Sequence, residues 1–563
     1  MKITDIAQIL VFVMTLFILA PPLGAYMAKV FEGKKTFLSP LFGWLEKLTY
    51  KVAGVNSNEE MNWKDYAKAL LAFNILGFAV VFILQLFQNQ LPLNPQGAAN
   101  VSWHSALNTA VSFMTNTNWQ GYAGEVTMSY LTQMLGLAVQ NFVSAATGMA
   151  VFVALVRGFT KRSSSTIGNF WTDMTRATVY ILLPLCIVFS VLLVSEGVVQ
   201  NFSPYKEAVT LEGAQQVLPM GPAASQIAIK QLGTNGGGFF NANSAHPYEN
   251  PTPFSNFLQM LAIILLPAAL ALTYGRLVGA RRQGWIIFLV MFSVWFLTLM
   301  GSIASEYATN PIFQQSGIME GKETRFGVVN SLIWSTVTTV ASNGSVNAMH
   351  SSLSPLAGGI AMFNMMLGEV IFGGVGAGMY GILLFVLLTV FISGLMVGRS
   401  PEYLGKKIEA PEMKMAILGI LGPCACILIG TAISCVLPVA LSSLANKGPH
   451  GFSEILYAFT SAAANNGSAF AGLNANTPYY NIMLSIMMII GRFVVILPVL
   501  AIAGQFVTKK AAPPSAGTFA TDTAIFGILL VAVIVIVGAL TFLPALSLGP
   551  IIEHFLMING KTF

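Results

Sequence analysis

Residues 231–247, QLGTNGGGFFNANSAHP, place three consecutive glycines between a Thr-Asn pair and a run of Asn and Ser. A glycine-rich loop can be a phosphate cradle, but a phosphate-binding loop follows a strand, opens a helix and usually has a lysine close by. This stretch follows a short apolar segment instead, so the phosphate interpretation fails on its context. The loop must use its backbone for another purpose.

Three further stretches of the chain share this pattern. Each has a moderately apolar segment, too short to cross a membrane, followed by a cluster of Thr, Asn, Ser and Gly. Because they recur once per pair of predicted crossings, the chain is expected to contain four copies of helix, short helix, polar loop and helix. The four stretches are ALNTAVSFM-TNTNWQ at 106–120, ASQIAIKQL-GTNGGGFFNAN at 224–243, SLIWSTVTTV-ASNGSVNA at 331–348 and ILYAFTSAA-ANNGSAFAG at 455–472.

The composition is that of a membrane protein. Apolar residues make up 55% of the 563-residue chain and charged residues only 9%, whereas a soluble globular chain carries about 25% charged residues. We therefore expect an all-α polytopic membrane protein with four repeats around a central pore and two extra helices. A helix needs about 20 apolar residues to cross the hydrocarbon. The ten predicted crossings are 7–28, 67–88, 129–157, 177–199, 254–276, 284–306, 357–397, 413–439, 479–506 and 523–547.

The basic residues orient these crossings. Alternate connections hold 20 of the 28 Lys and Arg residues, and the opposite connections together with both termini hold seven. Because cytoplasmic loops are enriched in Lys and Arg, both termini are expected outside the cytoplasm. The same asymmetry accounts for a pI near 9.0 without nucleic-acid binding. The first crossing resembles a signal peptide, but it has no basic leader beyond Lys2 and no small-residue cleavage site, which indicates a retained helix.

Repeated polar loops beside a membrane have a specific physical meaning. Non-helical backbone cannot face lipid, and it is tolerated only where protein or a water-filled cavity surrounds it. Four re-entrant loops around one axis would direct their carbonyl groups at a common centre, where carbonyl oxygens can replace the hydration shell of a monovalent cation. Gly permits the necessary backbone angles, and Asn, Thr and Ser supply side-chain bonds. One such loop alone would be an ordinary extracellular turn, but four in register favour a pore.

Longer motifs accompany the four loops. They are MNWKDY at 61–66, TNTNWQ at 115–120, LGTNGGGFFNANSAHP at 232–247, MEGKETRFG at 319–327, NGS at 343–345, FGGVGAGMYG at 372–381, GRSPEYLGKK at 398–407, KGPHGFSE at 447–454 and NNGSAFAGL at 465–473. Together these motifs resemble the potassium-binding A subunits of the bacterial Kdp potassium-transporting ATPases. That family belongs to a superfamily of potassium transporters built from four helix–pore-loop–helix repeats. The resemblance extends from residue 20 to residue 550, approximately.

The resemblance implies a potassium selectivity filter formed by three residues of each loop. One departure concerns the third loop, because relatives often carry Cys where this chain has Asn343. If backbone carbonyls coordinate the ion, that side chain can vary. The implied filter residues are Asn116, Thr117, Asn118, Thr234, Asn235, Gly236, Ser342, Asn343, Gly344, Asn465, Asn466 and Gly467, and the adjacent residues are Gln120, Gly237, Ser345 and Ser468.

Charges and glycines within the crossings predict a cavity or gate below the filter. Arg492 lies near the middle of 479–506, and a buried charge there is a functional candidate. We expect Arg492 to border the cavity and repel cations, with Glu369 as its partner. The stretch 357–397 is nearly twice the length of a simple crossing, so its glycines indicate either small-residue helix packing or a broken helix that gates the ion path. The remaining gate or cavity candidates are Gly373, Gly374, Gly376 and Arg399.

The resemblance implies uptake of external K⁺ as the ion-conducting component of an ATP-driven complex in the bacterial cytoplasmic membrane. The expected partners are the P-type ATPase of the Kdp complex (its B subunit), the C subunit and a small peptide subunit, besides membrane lipids. The sequence has no Gly-x-x-x-x-Gly-Lys-Ser/Thr phosphate-binding loop and no Asp-Lys-Thr phosphorylation motif, so ATP and Mg²⁺ are expected on a partner.

A stand-alone potassium channel or secondary transporter is the alternative.

The five histidines have no spacing suited to zinc, so K⁺ is the only metal expected. The predicted division is 1–66 for the first helix and a cytoplasmic loop, 67–157, 177–276, 284–397 and 413–506 for the pore repeats, and 523–547 for the last helix.

Overall fold

The computed structural model describes residues 2–511 and 519–561, so Met1 of the predicted first segment lies outside the described residues. Within these ranges the chain is mostly helical, with two short antiparallel hairpins. The helices are α1 (Ile3–Phe31), α2 (Ser39–Ala53), α3 (Trp63–Phe87), α4 (Trp103–Met114), α5 (Gly124–Thr127), α6 (Val139–Thr160), α7 (Phe170–Arg176), α8 (Leu183–Ser195), α9 (Ala223–Leu232), α10 (Pro253–Leu277), α11 (Arg281–Tyr307), α12 (Gly327–Val340), α13 (Pro355–Met366), α14 (Ala377–Met396), α15 (Ala410–Val436), α16 (Pro438–Leu441), α17 (Gly448–Ala463), α18 (Pro478–Thr508), α19 (Ala524–Leu546) and α20 (Ile552–Ile558).

The strands form two hairpins in loops between helices. β1 (Lys206–Val209) pairs with β2 (Gln215–Leu218), with Lys206 opposite Leu218, and β3 (Glu402–Tyr403) pairs with β4 (Lys406–Lys407). π-helical turns extend three of the long helices, over Thr132–Ala138, Ala177–Leu182 and Ser547–Ile551.

Ten helices of the described chain are long and apolar enough to cross a membrane, which confirms the predicted number and the all-helical class. Each is long enough to cross the hydrocarbon core. As an α-helix, each also bonds its backbone N–H and C=O groups internally, as lipid requires. Counted with the 3₁₀ and π-helical turns and the short helices that continue them, the spans are Ile3–Phe31, Trp63–Gln90, Thr132–Thr160, Phe170–Ser195, Pro253–Leu277, Arg281–Tyr307, Ala377–Met396, Ala410–Val436, Pro478–Thr508 and Ala524–Ile558.

The segment 357–397 is a broken helix and not one long crossing. α13 ends at Met366 and is too short to span, α14 begins at Ala377, and the residues between them leave the helical conformation. Left-handed residues cannot continue a right-handed helix, and most of them here are glycines. The left-handed residues are Gly368, Glu369, Phe372, Gly373 and Gly376.

Four short helices precede the four polar loops, as the repeat pattern predicts. α4, α9, α12 and α17 end at Met114, Leu232, Val340 and Ala463, each immediately before its polar cluster. We call them the pore helices. Their side chains are buried along most of their length, so each pore helix lies inside a shell of long helices.

The second long helix of each repeat lies inside and the first lies outside. In the most apolar window of the second helices, α6 with its preceding turn, α10, α14 and α18, 83%, 83%, 61% and 61% of the residues are buried. The corresponding shares for the first helices, which begin at Trp63, Phe170, Arg281 and Ala410, are 22%, 44%, 50% and 33%. The inner helices therefore surround the pore helices, and the outer helices present most of the lipid-facing surface.

Lys406 ties two inner helices together at one end of the bundle. Its side chain is buried, and Nζ donates to the carbonyl oxygens of Gly158 at 2.8 Å, Phe506 at 2.7 Å and Lys161. These carbonyls lie at the C-terminal ends of α6 and α18, where helix carbonyls lack partners and a cation is favoured. One lysine in a loop thus joins the first repeat to the fourth.

Replacement of Lys406 by Met should lower the stability of the folded chain. Hydrogen bonds from charged donors contribute about 1.5–3 kcal/mol each, so we expect the free energy of unfolding to fall by about 2–4 kcal/mol after relaxation. The measurement is the thermal unfolding midpoint of the purified chain in detergent. Lys407→Met is the control, because Lys407 is exposed; equal midpoints for the two variants would contradict the role of Lys406.

Candidate ion-binding site

The four polar loops lie against one another in a closed ring. We call them loop 1 (115–118), loop 2 (233–236), loop 3 (341–344) and loop 4 (464–467). Loop 1 donates to loop 2, loop 3 donates to the second repeat and to loop 4, and loop 4 donates back to loop 1. The bonds run from Asn116 to the Thr234 carbonyl at 2.9 Å, from Asn118 to the Gly236 carbonyl at 3.0 Å, from Asn343 to the Lys230 carbonyl at 3.0 Å, from Ser342 to the Asn465 carbonyl at 3.0 Å and from Asn465 to the Thr117 hydroxyl at 3.0 Å.

Each loop turns its amide groups back toward its own pore helix. The N–H of Thr117 donates to the carbonyl of Ser112 at 2.9 Å, five residues earlier. Because a helix leaves its last carbonyl groups without partners, these bonds satisfy both the helix end and the loop. The equivalent bonds run from Asn235 to Lys230 at 2.8 Å, from Asn343 to Thr338 at 3.1 Å and from Asn466 to Ser461 at 2.8 Å.

The carbonyl groups of the same four residues have no such partner. Within the described ranges, the carbonyl oxygens of Thr117, Asn235, Asn343 and Asn466 accept no hydrogen bond, although all four residues are fully buried. More than 90% of buried backbone carbonyl groups in proteins are paired. Four unpaired carbonyl oxygens at equivalent positions, one per loop, therefore mark a site for a ligand that accepts their electron pairs.

Left-handed residues alternate with ordinary ones in all four loops. Asn116, Thr234, Ser342 and Asn465 have φ of 64°, 49°, 53° and 58°, although none of them is glycine. The residues two positions later are also left-handed, and those between are not. A non-glycine residue in this conformation costs about 1–2 kcal/mol, and such strain clusters at functional sites. When left-handed and right-handed residues alternate, successive peptide groups point the same way, and their N–H groups lie on one side of the chain.

Glycine at the last position of loops 2, 3 and 4 leaves room for the carbonyl of a neighbouring loop. A Cβ on Gly236 would overlap the carbonyl oxygen of Asn343, and a Cβ on Gly467 would overlap that of Thr117. Gly344 stands in the same relation to Asn466. The unpaired carbonyls are thus the groups that these glycines accommodate. Loop 1 departs from the pattern, because Asn118 occupies this position.

Polar side chains of α6 support loops 1 and 2 and were not predicted. Asn141 accepts from Asn118 at 2.8 Å through its side chain and from Asn235 at 3.1 Å through its carbonyl. Ser144 donates to Asn116 Oδ1 at 2.7 Å. The sequence signal was the polar pair and serine within QNFVS, residues 140–144, in an otherwise apolar crossing. Their burial indicates a positioning role for the ring.

A buried ion pair stands behind loop 2. Lys230 of pore helix α9 contacts Glu249 through Nζ, and the side chains are 1% and 0% exposed. Nζ also donates to the carbonyl of Gly237 at 3.0 Å, and Glu249 Oε1 accepts from the N–H of Phe240 at 2.9 Å. The pair therefore fixes the backbone that leads out of loop 2. Sequence reasoning missed both residues, because they lie 19 residues apart in the chain and no local pattern links them.

The four residues predicted to be adjacent to the filter lie at the outer side of the ring. Gln120 bridges the first two repeats, since its side chain accepts from the N–H of Gly238 at 2.7 Å and donates to the carbonyl of Gly238 at 3.1 Å. Gly237 is left-handed, with φ of 71°. Ser345 donates to Gln231 at 3.0 Å, and Ser468 lies 2.7 Å from the hydroxyl of Tyr457.

A cavity of about 780 Å³ opens above the ring. Asn118, Gly237, Gly344 and Gly467 line it, so all four repeats contribute to this mouth.

A smaller cavity of about 70 Å³ lies on the other side of the ring, lined by Ser342, Asn465, Glu369 and Arg492. Arg492 and Glu369 share this cavity without pairing: among the described residues, no ion pair within 4.0 Å joins them, which corrects the expected partnership. Glu369 Oε1 accepts from Asn466 at 2.9 Å instead, and Arg492 lies 3.5 Å from the Ser144 carbonyl. Each charged group therefore has a polar neighbour of its own on the inner side of the ring.

The break between α13 and α14 touches the ring from this inner side. The N–H of Val375 donates to the Thr234 hydroxyl at 2.8 Å, and the N–H of Gly373 donates to the carbonyl of Val340 at 2.9 Å. Gly374 lies beside the same Thr234 hydroxyl, and a Cβ on Gly376 would overlap the backbone of α6. Arg399 is not part of this arrangement: it is exposed in the loop after α14, where its N–H donates to the Gly394 carbonyl.

Comparison with known proteins agrees with this architecture. Residues 10–555 match the family described as "Potassium-transporting ATPase A subunit". Proteins named potassium-transporting ATPase potassium-binding subunit are similar over almost their whole length. That of Mesorhizobium japonicum is 57% identical over 99% of both chains, and that of Herpetosiphon aurantiacus is 57% identical over 98% of this chain and 99% of its own.

A solved structure shares the fold. The potassium transporter TrkH from Vibrio parahaemolyticus superposes with a TM-score of 0.51, covering 87% of this chain and 96% of its own. The two sequences are only 14% identical, so the likeness concerns the fold alone.

Replacement of Lys230 by Met should destabilise the chain strongly, because it leaves the buried Glu249 without a countercharge. Breaking a buried pair costs about 3–5 kcal/mol. Lys230→Met with Glu249→Gln should recover part of this loss, since the amide still accepts from Phe240. A double-mutant cycle of unfolding free energies in detergent measures the coupling, with the exposed Lys206→Met as control. Additive effects of the two substitutions would contradict the pairing.

Proposed function

This chain belongs to the family of potassium-transporting ATPase A subunits, and from that membership we propose that it binds external K⁺ in the ring of four loops. In this proposal the ion then passes inward, and the chain is the ion-conducting component of an ATP-driven potassium uptake complex. The ring supplies the binding site, and a partner supplies the energy.

One observation carries the proposal, namely the four unpaired carbonyl oxygens of Thr117, Asn235, Asn343 and Asn466. Backbone carbonyls that replace the hydration shell are the ligands of K⁺ in selectivity filters. Loops 1 to 4 contain no Asp or Glu, whereas Ca²⁺ and Mg²⁺ sites rely on carboxylates. The neutral ring therefore favours a weakly hydrated monovalent cation.

The pore helices support the same conclusion. Each ends at its loop, so the C-terminal end of α4, α9, α12 or α17 is next to the ring. The negative end of a helix dipole stabilises a cation there. In this proposal all twelve predicted loop residues form the filter. Three of their carbonyls, on Thr234, Gly236 and Asn465, accept one side-chain bond, which leaves a second electron pair on each.

The smaller cavity, on the inner side of the ring, is proposed as the next position that the ion occupies. Glu369 would attract the ion as it leaves the ring, and Arg492 would prevent straight passage by repulsion. The break between α13 and α14 would act as the gate, because Gly373, Gly374 and Gly376 allow it to move while it contacts the filter residue Thr234. Small residues that absorb backbone rotation are typical of hinges.

The energy source is proposed to be a separate protein of the complex. Since the sequence has neither a phosphate-binding loop nor a phosphorylation motif, ATP and Mg²⁺ would bind the P-type ATPase, that is, the B subunit. The C subunit and a small peptide subunit would complete the complex. The distribution of Lys and Arg supports both termini outside the cytoplasm. The large cavity would then face the side from which K⁺ is taken up, in the bacterial cytoplasmic membrane.

Reconstitution tests this proposal against a stand-alone channel. The chain alone and the chain with its copurified subunits are placed in vesicles, and K⁺ flux and ATP hydrolysis are measured. We expect K⁺ to stimulate ATP hydrolysis in the assembly and the chain alone to show no sustained flux. Passive K⁺ flux through the chain alone, driven by membrane potential, would favour the alternative, which the family membership does not favour.

Gly467→Ala should weaken K⁺ binding. The added Cβ would overlap the carbonyl oxygen of Thr117 and displace a proposed ligand, so we expect the K⁺ concentration for half-maximal ATPase stimulation to rise by roughly tenfold or more, equivalent to about 1.4 kcal/mol. The control is Gly97→Ala, because Gly97 is also left-handed but has open space around it. An equal effect of both substitutions would indicate backbone strain alone.

Arg492→Gln should change the coupling between ion flux and ATP hydrolysis. Removal of the positive charge lowers the barrier to straight passage, so we expect more K⁺ leak per ATP hydrolysed. The measurement is the ratio of rubidium flux to phosphate release in vesicles, with the exposed Arg282→Gln as control. An unchanged ratio would count against a role for Arg492 in the ion path.

A further inference from the structure

Helix α2 (Ser39–Ala53) presents an apolar face to the surroundings of the protein. Every residue of this helix is at least partly exposed. The side chains of Leu41, Trp44, Leu48 and Val52 are 61%, 63%, 46% and 80% exposed. Their spacing of three or four residues places them on one side of the helix. An apolar stripe of this kind is unfavourable in water and is typical of a contact surface.

The opposite face of α2 is fixed to the body of the protein. Glu46 accepts from Arg176 Nε at 3.1 Å and from the Tyr180 hydroxyl at 2.6 Å, and within α2 itself from the Tyr50 hydroxyl at 2.8 Å. Burial raises the pKa of this carboxyl, but these hydrogen bonds outweigh it and hold the pKa of Glu46 below its usual value. The helix therefore cannot rotate to hide its apolar stripe.

Basic residues border this stripe. A cavity of about 440 Å³ between α2 and the end of α1 is lined by Lys34, Lys35, Lys47 and Arg176. Lys34 pairs with Glu32 at 2.7 Å, and Arg176 pairs with Glu46. Within the described residues Lys35 and Lys47 form no ion pair. Two cationic side chains thus face a cavity beside an apolar surface.

The connections of α2 hold it near the membrane surface. It begins after α1 ends at Phe31 and is followed by α3 from Trp63, and both of these helices are membrane spans. A surface helix with an apolar face and flanking lysines matches the requirements of the membrane interface, where apolar side chains enter the acyl region and lysines attract acidic headgroups. Trp is enriched at this depth.

We propose that α2 lies in the membrane interface and that Lys35 and Lys47 bind the phosphate headgroup of an anionic phospholipid in the adjoining cavity. A protein partner would need carboxylates opposite these lysines and an apolar surface opposite Leu41 and Val52, whereas an anionic lipid supplies both chemistries in one molecule. This site is independent of the ring of loops and does not require that the ring bind K⁺.

Quenching of Trp44 by brominated lipids tests the proposal. The full chain, with its bound subunits, is placed in nanodiscs containing brominated phosphatidylglycerol or brominated phosphatidylcholine at equal mole fraction. The contribution of Trp44, one of eight tryptophans, is obtained by difference from Trp44→Phe. We expect both lipids to quench Trp44 and the anionic lipid to quench it more strongly.

The double variant Lys35→Gln, Lys47→Gln should abolish the preference for the anionic lipid. Each basic residue near an anionic surface favours binding by about fivefold, so the loss in relative affinity should be roughly twentyfold. Lys64→Gln with Lys68→Gln is the matched control, because these lysines are exposed on α3 at the same end of the bundle. The control should keep the preference.

Two results would overturn the proposal. Trp44 that neither lipid quenches would show that another protein of the complex or water covers the stripe. Equal quenching by both lipids in the unsubstituted chain would show an interfacial helix without an anionic-lipid site. Quenching of the other tryptophans monitors the fold of each variant, so that unfolding is not mistaken for loss of the site.

Discussion

Backbone amides that leave a helix inside a membrane must find partners, and this fold satisfies them at the helix they have just left. In each repeat one loop amide, such as that of Thr117, donates to a carbonyl five residues earlier in the pore helix, such as that of Ser112. Once the N–H groups face the pore helix, the carbonyl groups face away from it. The unpaired carbonyls are therefore a consequence of how the loop satisfies its own donors, and in the proposed function K⁺ removes the cost of leaving them unpaired.

The ring depends on all four repeats at once. Each loop rests on side chains from a neighbour, so one loop alone would lack the bonds that hold its left-handed residues. The strain of those residues, about 1–2 kcal/mol each, is offset by hydrogen bonds that exist only in the closed ring. This mutual support explains why the glycine at the last loop position recurs, since a Cβ on Gly236 or Gly344 would separate two loops.

The repeats are equivalent in backbone but not in charge. Behind loop 2 stands the buried pair of Lys230 and Glu249, whereas the corresponding positions of the other pore helices are Ser112, Thr338 and Ser461. A second buried pair joins Lys322, in the loop before α12, to Glu306 at 2.7 Å. Such pairs cost desolvation energy and give little net stability. Their placement outside the ring leaves the ring neutral, which suits an ion that must both bind and leave.

The sequence determined the membrane class, the ten spans and the four short helices, because each rests on local apolar length or on a pattern that repeats within the chain. It also identified the polar loops, whose composition contrasts with everything around them. These features are encoded by neighbours in sequence.

The tertiary structure decided which groups meet. That Asn141 and Ser144 support two loops, that Lys230 pairs with Glu249, and that Glu369 bonds Asn466 and not Arg492 follow from packing between distant segments. No local pattern records such contacts, because the partner lies on another helix and its distance depends on how the helices pack. The sequence could place polar groups inside the membrane, but only the closed ring decided which of their carbonyl oxygens remain free.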